Sequence, residues 1–174
     1  HHLPEAIAGR LGDGSKWGVS IRYKREDALL GTSGAVKNFE RELGGEPFLV
    51  LYGDNLHDYD LGALARRHAA EIADMTIAVF ELEDTSQSGA VTMDGAGRVT
   101  AFVEKRPAAA PVKGWANAGV YVVDPVVLGL IPAGFSDFGR DVIPRLLNEG
   151  RRVVAVKMDR PVKAVDTPEL YRRR

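Results

Sequence analysis

The run Phe48–Tyr52 restricts the fold more than any other feature of this sequence, because five apolar or aromatic residues follow one another without a break. Gly44-Gly45 lies shortly before the run, and Gly53 follows it directly. A short continuous apolar run between turn-forming residues is typical of a parallel β-strand that is buried on both faces. Parallel strands need crossover connections that are usually helices, so the run predicts an α/β fold.

Strand and helix patterns alternate along the rest of the chain, and caps mark several helix starts. The predicted helices are Pro4–Leu11, Ala35–Leu43, one that begins at Asp60, Asp141–Leu147 and one that begins at Thr167. The predicted strands are Val19–Tyr23, Phe48–Tyr52, Met75–Leu82, Ala90–Met93, Val99–Val103, Gly119–Val123 and Val153–Val156. The four-residue loop Asp94-Gly-Ala-Gly97 predicts a β-hairpin between the strands Ala90–Met93 and Val99–Val103. The fold class is therefore α/β, with a mostly parallel mixed sheet and an antiparallel hairpin.

The composition excludes several classes of function. Of the 174 residues, 45% are hydrophobic and 27% are charged, as in ordinary globular domains. The 23 basic and 24 acidic residues give a net charge of −1, without the basic excess of a nucleic-acid-binding protein. No apolar run is long enough to span a bilayer, so we expect no membrane partner. The absence of cysteine rules out disulfides and zinc–thiolate sites, and it fits a cytoplasmic protein.

Polar residues that could carry chemistry follow the buried strands, where open α/β sheets bind their ligands. Asp54 follows the run Phe48–Tyr52, and a carboxylate at that point can hold Mg²⁺. It could equally form an Asx turn before the next helix. Asp166 stands at another strand end, where it could be a second metal ligand or the N-cap of the last helix.

Other candidates are suited to a phosphorylated, hydroxyl-rich ligand. Glu104 and Lys105 end a strand of the hairpin, where a carboxylate can bind hydroxyls and an ammonium can bind phosphate, unless both are solvated surface charges. Asn117 begins a buried strand and offers a donor and an acceptor, although it could be a turn residue. The segment Leu30–Ala35 precedes a helix whose N–H groups could bind an anion or a base edge, or it is a glycine-rich cap.

The four histidines show no metal-ligand spacing with one another or with a glutamate. The simplest interpretation of His68 is a residue on the surface of its helix.

Seven segments, taken in order, resemble the sugar-1-phosphate nucleotidyltransferases, the pyrophosphorylases that make nucleotide sugars. They are His1-His-Leu-Pro-Glu-Ala-Ile7, Gly12-Asp-Gly-Ser15, Leu30-Gly-Thr-Ser-Gly-Ala35, Leu51-Tyr-Gly-Asp-Asn55, Phe102-Val-Glu-Lys105, Asn117-Ala-Gly-Val-Tyr121 and Asp166-Thr-Pro-Glu169. The resemblance covers essentially the whole chain, and the mannose-1-phosphate guanylyltransferase-like branch is the most similar. It implies one domain over residues 1–174 with the Rossmann-like fold of nucleotide-diphospho-sugar transferases.

The resemblance implies that an NTP and a sugar 1-phosphate react to give an NDP-sugar and pyrophosphate, with Mg²⁺ as cofactor. GTP is the favoured nucleotide, and dTTP, CTP, UTP and ATP are alternatives. Asp54 and Asp166 would hold the Mg²⁺, and Lys105 would contact the sugar phosphate, so that Asp54 and Lys105 act at the reacting groups. The implied sugar ligands are Glu104, Asn117 and the backbones of Gly89 and Gly119, and the implied nucleobase contacts are Gly31, Thr32 and Gly34.

The sequence departs from the family pattern at three points. The signature Gly-x-Gly-Thr-Arg-Leu with its downstream Pro-Lys, which cradles the triphosphate, is absent from the 174 residues. We therefore expect the chain to be the C-terminal portion of a larger domain, without its first strand–loop–helix units, and to turn over little by itself. The ending is Val165-Asp-Thr-Pro168 instead of Asp-Ile-Gly-Thr-Pro, and Arg106 interrupts the usual Glu-Lys-Pro.

Two other functions remain open at this point. One is a non-catalytic nucleotide-sugar sensor or interaction subunit. The other is a related glycosyltransferase, whose Asp-x-Asp metal motif would be Asp58-Tyr-Asp60. With either function the protein could form an oligomer.

Overall fold

A six-stranded mixed sheet forms the centre of the computed structural model, which describes residues 3–105 and 110–172. Its strands are β1 (Phe48–Leu51), β3 (Met75–Leu82), β4 (Ala90–Met93), β5 (Val99–Val103), β6 (Gly114–Val123) and β7 (Val153–Lys157). Their order is β5-β4-β6-β3-β7, and β1 also pairs with β6. A separate two-stranded ladder joins β2 (Asn55–Leu56) to β8 (Lys163–Ala164).

Helices flank the sheet, and two of them begin at caps that the sequence predicts. The helices are α1 (Pro4–Leu11), α2 (Gly31–Lys37), α3 (Glu40–Leu43), α4 (Leu61–Glu71), α5 (Ile143–Asn148) and α6 (Pro168–Arg172), with 3₁₀ turns at Ser15–Trp17 and Pro125–Leu130 and a π-helical turn at Phe138–Val142. The Asp60 carboxylate accepts a hydrogen bond from the N–H of Ala63 (2.9 Å) at the start of α4. Thr167 caps α6 through the N–H of Leu170 (3.2 Å). Caps act through local backbone geometry, which is why sequence alone locates them.

The two faces of the sheet support two apolar layers, and alternate residues of β3 contribute to each. Met75 and Ile77 pack in one layer with Phe138 and with α5. Ala78 packs in the other layer with Leu64 of α4. Burial of each large side chain contributes about 1.5–3 kcal/mol, so these layers fix the positions of the strands.

The strand at Phe48–Leu51 is confirmed, but the expectation that it is parallel to its neighbour and buried on both faces is wrong. It runs antiparallel to β6, and Leu49 and Leu51 are 41% and 43% exposed. The strands β1, β3, β4 and β7 share one direction, so the predicted mixed α/β sheet is confirmed. Yet β3–β7 is the only parallel pair among the described strands, because β6 lies between the others and runs the opposite way.

Three other predictions need correction. Val19–Tyr23 is not a strand, because its backbone bonds locally: the N–H of Ile21 donates to Asp13 (2.8 Å). The helix expected over Ala35–Leu43 is divided into α2, which begins earlier, and α3. His68 is 5% exposed and does not lie on the surface, since α4 turns it toward β3, where its Nδ1 is 3.0 Å from the Thr76 hydroxyl.

The long strand β6 creates an opening in the sheet. One edge of β6 pairs with β3, whereas the other edge is shared by β4, at Trp115 and Ala116, and by β1, from Val120 onward. Between Asn117 and Tyr121, β6 also carries two more residues than the facing part of β3. Such a bulge bends a strand and turns its side chains. The strands β4 and β1 therefore diverge at residues 117–119, and the polar side chains of the site lie there.

Candidate functional site

A cleft of about 370 Å³ lies where β4 and β1 diverge along β6. It collects six of the predicted ligand-binding residues, which come from well-separated parts of the chain: Thr32, Gly89, Glu104, Lys105, Asn117 and Gly119. Five further polar residues that the sequence analysis did not select as ligands also line it: Tyr52, Asn55, Gln87, Ser88 and Asp137. All five predicted sugar-site residues thus belong to one continuous surface, together with one residue of the predicted nucleotide site.

Glycines on two segments hold the Glu104 carboxylate in a narrow space. A Cβ atom at Gly139 would overlap its Oε2, and one at Gly89 would lie 3.1 Å from it. Burial, and then the nearby Asp137, raise the pKa of Glu104, while Lys105 opposes that shift. The half-buried Glu104 carboxylate is suited to accept hydrogen bonds from a ligand, because these bonds would replace the water molecules that burial removes from it.

The Asn117 side chain is held by the turned backbone of β6. Its Oδ1 accepts from the N–H of Gly119 (3.1 Å), and its Nδ2 donates to the hydroxyl of Tyr121 (2.6 Å). Gly119 has a φ of +69°, and a Cβ there would lie 2.7 Å from the ring of Tyr52. Glycine is required at this point, because the left-handed conformation and the close ring both exclude a side chain. One N–H and one lone pair of the Asn117 amide remain available to a ligand.

Asp137 is the most informative residue that sequence reasoning missed. Its Oδ1 accepts from the N–H of Gly139 (3.0 Å), and its Oδ2 accepts from the hydroxyl of Thr32 (2.9 Å). It caps the π-helical turn that precedes α5, and such turns occur frequently at functional sites. The sequence signal was an Asp at a helix start, but the predicted start at Asp141 was four residues too late.

The two predicted metal ligands lie outside the cleft, on two segments that pair in the backbone. The antiparallel ladder β2–β8 pairs Asn55 with Ala164, and the N–H of Val165 then donates to the carbonyl of Asp54 (2.8 Å). Asp54 therefore lies opposite Val165, the residue before Asp166, and both aspartates are exposed. Within residues 3–105 and 110–172, no cluster of three or more His, Asp or Glu side chains is arranged to hold a metal. Two carboxylates fit Mg²⁺, which commonly takes one or two protein carboxylates and completes its shell with phosphate oxygens and water.

The glycines of α2 have a structural role that the sequence did not reveal. A Cβ at Gly31 would overlap the Ser136 carbonyl, and one at Gly34 would overlap the Gly134 carbonyl. The N–H groups of Ser33 and Gly34 both donate to the carbonyl of Ser136 (3.1 Å each). This end of α2 therefore binds the 134–136 turn, and the nucleobase contacts of Gly31 and Gly34 stay a prediction.

The surroundings of the remaining candidates are also defined. Lys105 is exposed at the lip of the cleft, and Arg106 lies outside the described residues. Asp58 pairs with Arg160 (2.6 Å), while Asp60 caps α4. The Asp-x-Asp segment is thus engaged in contacts within the chain.

Across the part of the chain that the structure describes, no helix has the length and apolar character to cross a membrane.

Comparison with known proteins identifies the family of this chain. The profile of the family described as "Nucleotidyl transferase" matches residues 1–161. A mannose-1-phosphate guanylyltransferase of Mycobacterium tuberculosis is 35% identical over 150 residues, which are 86% of this chain and 41% of that protein. A UTP–glucose-1-phosphate uridylyltransferase of Synechocystis is 32% identical, over 91% of this chain and 44% of its own length. The chain thus spans less than half the length of these curated relatives.

Solved structures share the fold at low sequence identity. HddC from Yersinia pseudotuberculosis superposes with a TM-score of 0.81 at 22% identity, over 99% of this chain and 73% of that one. A putative glucose-1-phosphate thymidylyltransferase from Bacillus anthracis gives a TM-score of 0.83 at 20% identity, over 97% of this chain and 69% of that one. This chain therefore shares its α/β fold with these solved structures. This chain belongs to the nucleotidyl transferase family, as its motif order predicted.

Proposed function

We propose that this chain supplies the sugar-phosphate site and the metal ligands of a sugar-1-phosphate nucleotidyltransferase, which converts an NTP and a sugar 1-phosphate to an NDP-sugar and pyrophosphate. The observation that carries the proposal is the cleft, in which Glu104, Lys105, Asn117, Gly89 and Gly119 converge from separate segments. Carboxylate, ammonium, amide and bare backbone are together complementary to a phosphorylated sugar.

Each group has a distinct role in this proposal. Glu104 and Asn117 bind sugar hydroxyls, and the backbones of Gly89 and Gly119 admit the ring closely. Lys105 binds the sugar phosphate as a point charge and orients its oxygen toward the α-phosphorus of the NTP. Asp54 and Asp166 would hold Mg²⁺, which neutralises phosphate charge when bound. Most of the rate then comes from positioning and from charge neutralisation.

The nucleotide side is less complete in this chain. Thr32 is the residue of the predicted base-binding set that lines the cleft, and GTP is the favoured nucleotide in our proposal. We expect the 174-residue chain alone to release pyrophosphate negligibly, because the glycine-rich triphosphate signature is not among its residues. A cytoplasmic location remains part of the proposal.

The test is pyrophosphate release by the full-length protein with each of GTP, UTP, dTTP, CTP and ATP, in combination with a panel of sugar 1-phosphates and Mg²⁺. We expect turnover with one pair and at least a tenfold loss of kcat/KM for sugar 1-phosphate in Lys105→Ala, since a charged hydrogen bond contributes about 1.5–3 kcal/mol. Gly129→Ala is the matched control, because a methyl group there meets no atom within 4 Å. Tight metal-independent binding of an NDP-sugar without turnover would show a sensor instead. Robust turnover by residues 1–174 alone would contradict our expectation about the glycine-rich signature.

A further inference from the structure

The hydroxyl groups of two tyrosines, Tyr52 and Tyr121, form a series of hydrogen bonds that ends at Asn117 on the sugar side of the cleft. The hydroxyls of Tyr52 and Tyr121 are 3.3 Å apart, and Tyr121 is 2.6 Å from the amide nitrogen of Asn117. Tyr121 is fully buried, so its hydroxyl depends on these partners.

The Asn117 end of this series determines the direction of its hydrogen bonds. The N–H of Gly119 donates to the Oδ1 of Asn117, so the Nδ2 of Asn117 faces the Tyr121 hydroxyl and donates to it. Tyr121 accepts that hydrogen bond and donates its own proton to the hydroxyl of Tyr52.

We propose that Tyr52 is a positioning residue for the sugar site: by accepting the Tyr121 proton, it fixes which face of the Asn117 amide is presented to the sugar 1-phosphate. This proposal rests on the proposed function, because it assigns Asn117 to the sugar. Without the Tyr52 hydroxyl, the buried Tyr121 proton has no acceptor and turns toward Asn117. It then competes for the amide oxygen, and the amide no longer has one preferred orientation.

The packing of Tyr52 supports a role for its hydroxyl beyond space filling. Its ring lies edge-on to that of Tyr121, with centroids 5.8 Å apart, and contacts the backbone at Gly119. Phenylalanine preserves both contacts and removes only the hydroxyl. Burial is the main cause of the raised pKa of both tyrosines, so both hydroxyls keep their protons over the neutral range.

The test compares Tyr52→Phe, Asn117→Ala and the double variant of the full-length protein. The readouts are KM for sugar 1-phosphate and for NTP, kcat, and the Kd of the sugar 1-phosphate by calorimetry. We expect Tyr52→Phe to raise KM and Kd for the sugar 1-phosphate about fivefold, as for loss of one hydrogen bond, with kcat and the KM for NTP within about twofold. In the Asn117→Ala background the same change should have no further effect. Tyr23→Phe, which removes a hydroxyl bonded to Gly12 on the surface, is the matched control.

Each other outcome rejects the proposal in a recognisable way. Additive effects of Tyr52→Phe and Asn117→Ala would show that Tyr52 does not act through Asn117. A uniform loss of kcat and of affinity for both substrates, with a lower Tm, would show a purely structural role. If Asn117→Ala leaves the sugar 1-phosphate affinity unchanged, the sugar-site assignment fails along with the proposal. If Asn117→Ala weakens binding but Tyr52→Phe does not, only the role of Tyr52 is wrong.

Discussion

Glycines on the two sides of the cleft are equivalent in sequence but have different neighbours in the structure. On the sugar side, Gly139 faces the end of the Glu104 side chain, which can rotate away. On the α2 side, Gly34 faces the backbone carbonyl of Gly134, which cannot move without a shift of the chain. Substitution should therefore affect ligand affinity on the first side and folding on the second. The same residue type serves a binding site in one region and helix–turn packing in the other.

The largest expected effect is on kcat, and it should come from substitution of a proposed metal ligand. Asp54→Asn should lower kcat about 100-fold, since a bound metal stabilises the transition state by several kcal/mol. Its Tm should stay unchanged, because the carboxylate is exposed and it is the backbone of Asp54 that bonds to Val165. Activity assays over a Mg²⁺ titration, with thermal unfolding in parallel, measure both. Full activity in this variant would remove Asp54 from the metal site, and Asp94→Asn, in the hairpin turn, is the control carboxylate.

Gly34→Ala tests the α2 side. The added methyl group meets backbone, so we expect a loss of about 1–3 kcal/mol in the free energy of unfolding, as for other overpacked positions. The Kd for sugar 1-phosphate should not change. Urea unfolding and calorimetry measure the two quantities. A raised KM for NTP with unchanged stability would instead support the predicted nucleobase contact at this glycine.

Gly139→Ala tests the sugar side with the opposite expectation. The Glu104 carboxylate must leave its place, so the sugar 1-phosphate should bind about tenfold more weakly, as for the loss of a hydrogen bond to a charged group. The stability should change less than in Gly34→Ala, because a flexible side-chain end is displaced and not the backbone. Gly129→Ala again serves as control. If Gly139→Ala is the more destabilising of the two, the comparison between the two sides is wrong.

The smallest expected effect is on protein stability, and it comes from the charge of Glu104. Its pKa in the folded protein is raised above the ordinary value of 4.5 by burial and by Asp137, so the protonated form is favoured by folding. That stability is present below pH 4.5 and is lost as the pH rises through the raised pKa. Glu104→Gln, which resembles the protonated form, should thus be more stable than the parent at pH 7 and equal to it at pH 4. Thermal unfolding at both pH values is the measurement, and a variant less stable at pH 7 would contradict the expected sign.

The fold and much of the cleft could be predicted from sequence where the cause is local. Caps at Asp60 and Thr167 mark helix starts, and the turn at Asp94 marks the hairpin, because each acts within a few residues. The ordered motifs also indicated Glu104, Lys105 and Asn117, which the structure brings together. What could not be predicted depends on distant partners. His68 is buried because it packs on β3, where it contacts the hydroxyl of Thr76. Asp137 lies in the site, where it accepts a hydrogen bond from Thr32, about a hundred residues away in the sequence.

The sequence by itself determined the chemistry that is available: the carboxylates, the lysine and the amide, the alternation of strands and helices, and the family. The tertiary structure alone decided which strand lies beside which. It placed β6 against the direction of its neighbours and separated β4 from β1 at Asn117–Gly119. The physical reason is that an apolar run specifies burial but not a partner, since every exposed backbone edge offers the same hydrogen bonds. The partner is selected when side chains from the whole chain pack together, and the site forms where that packing leaves a gap.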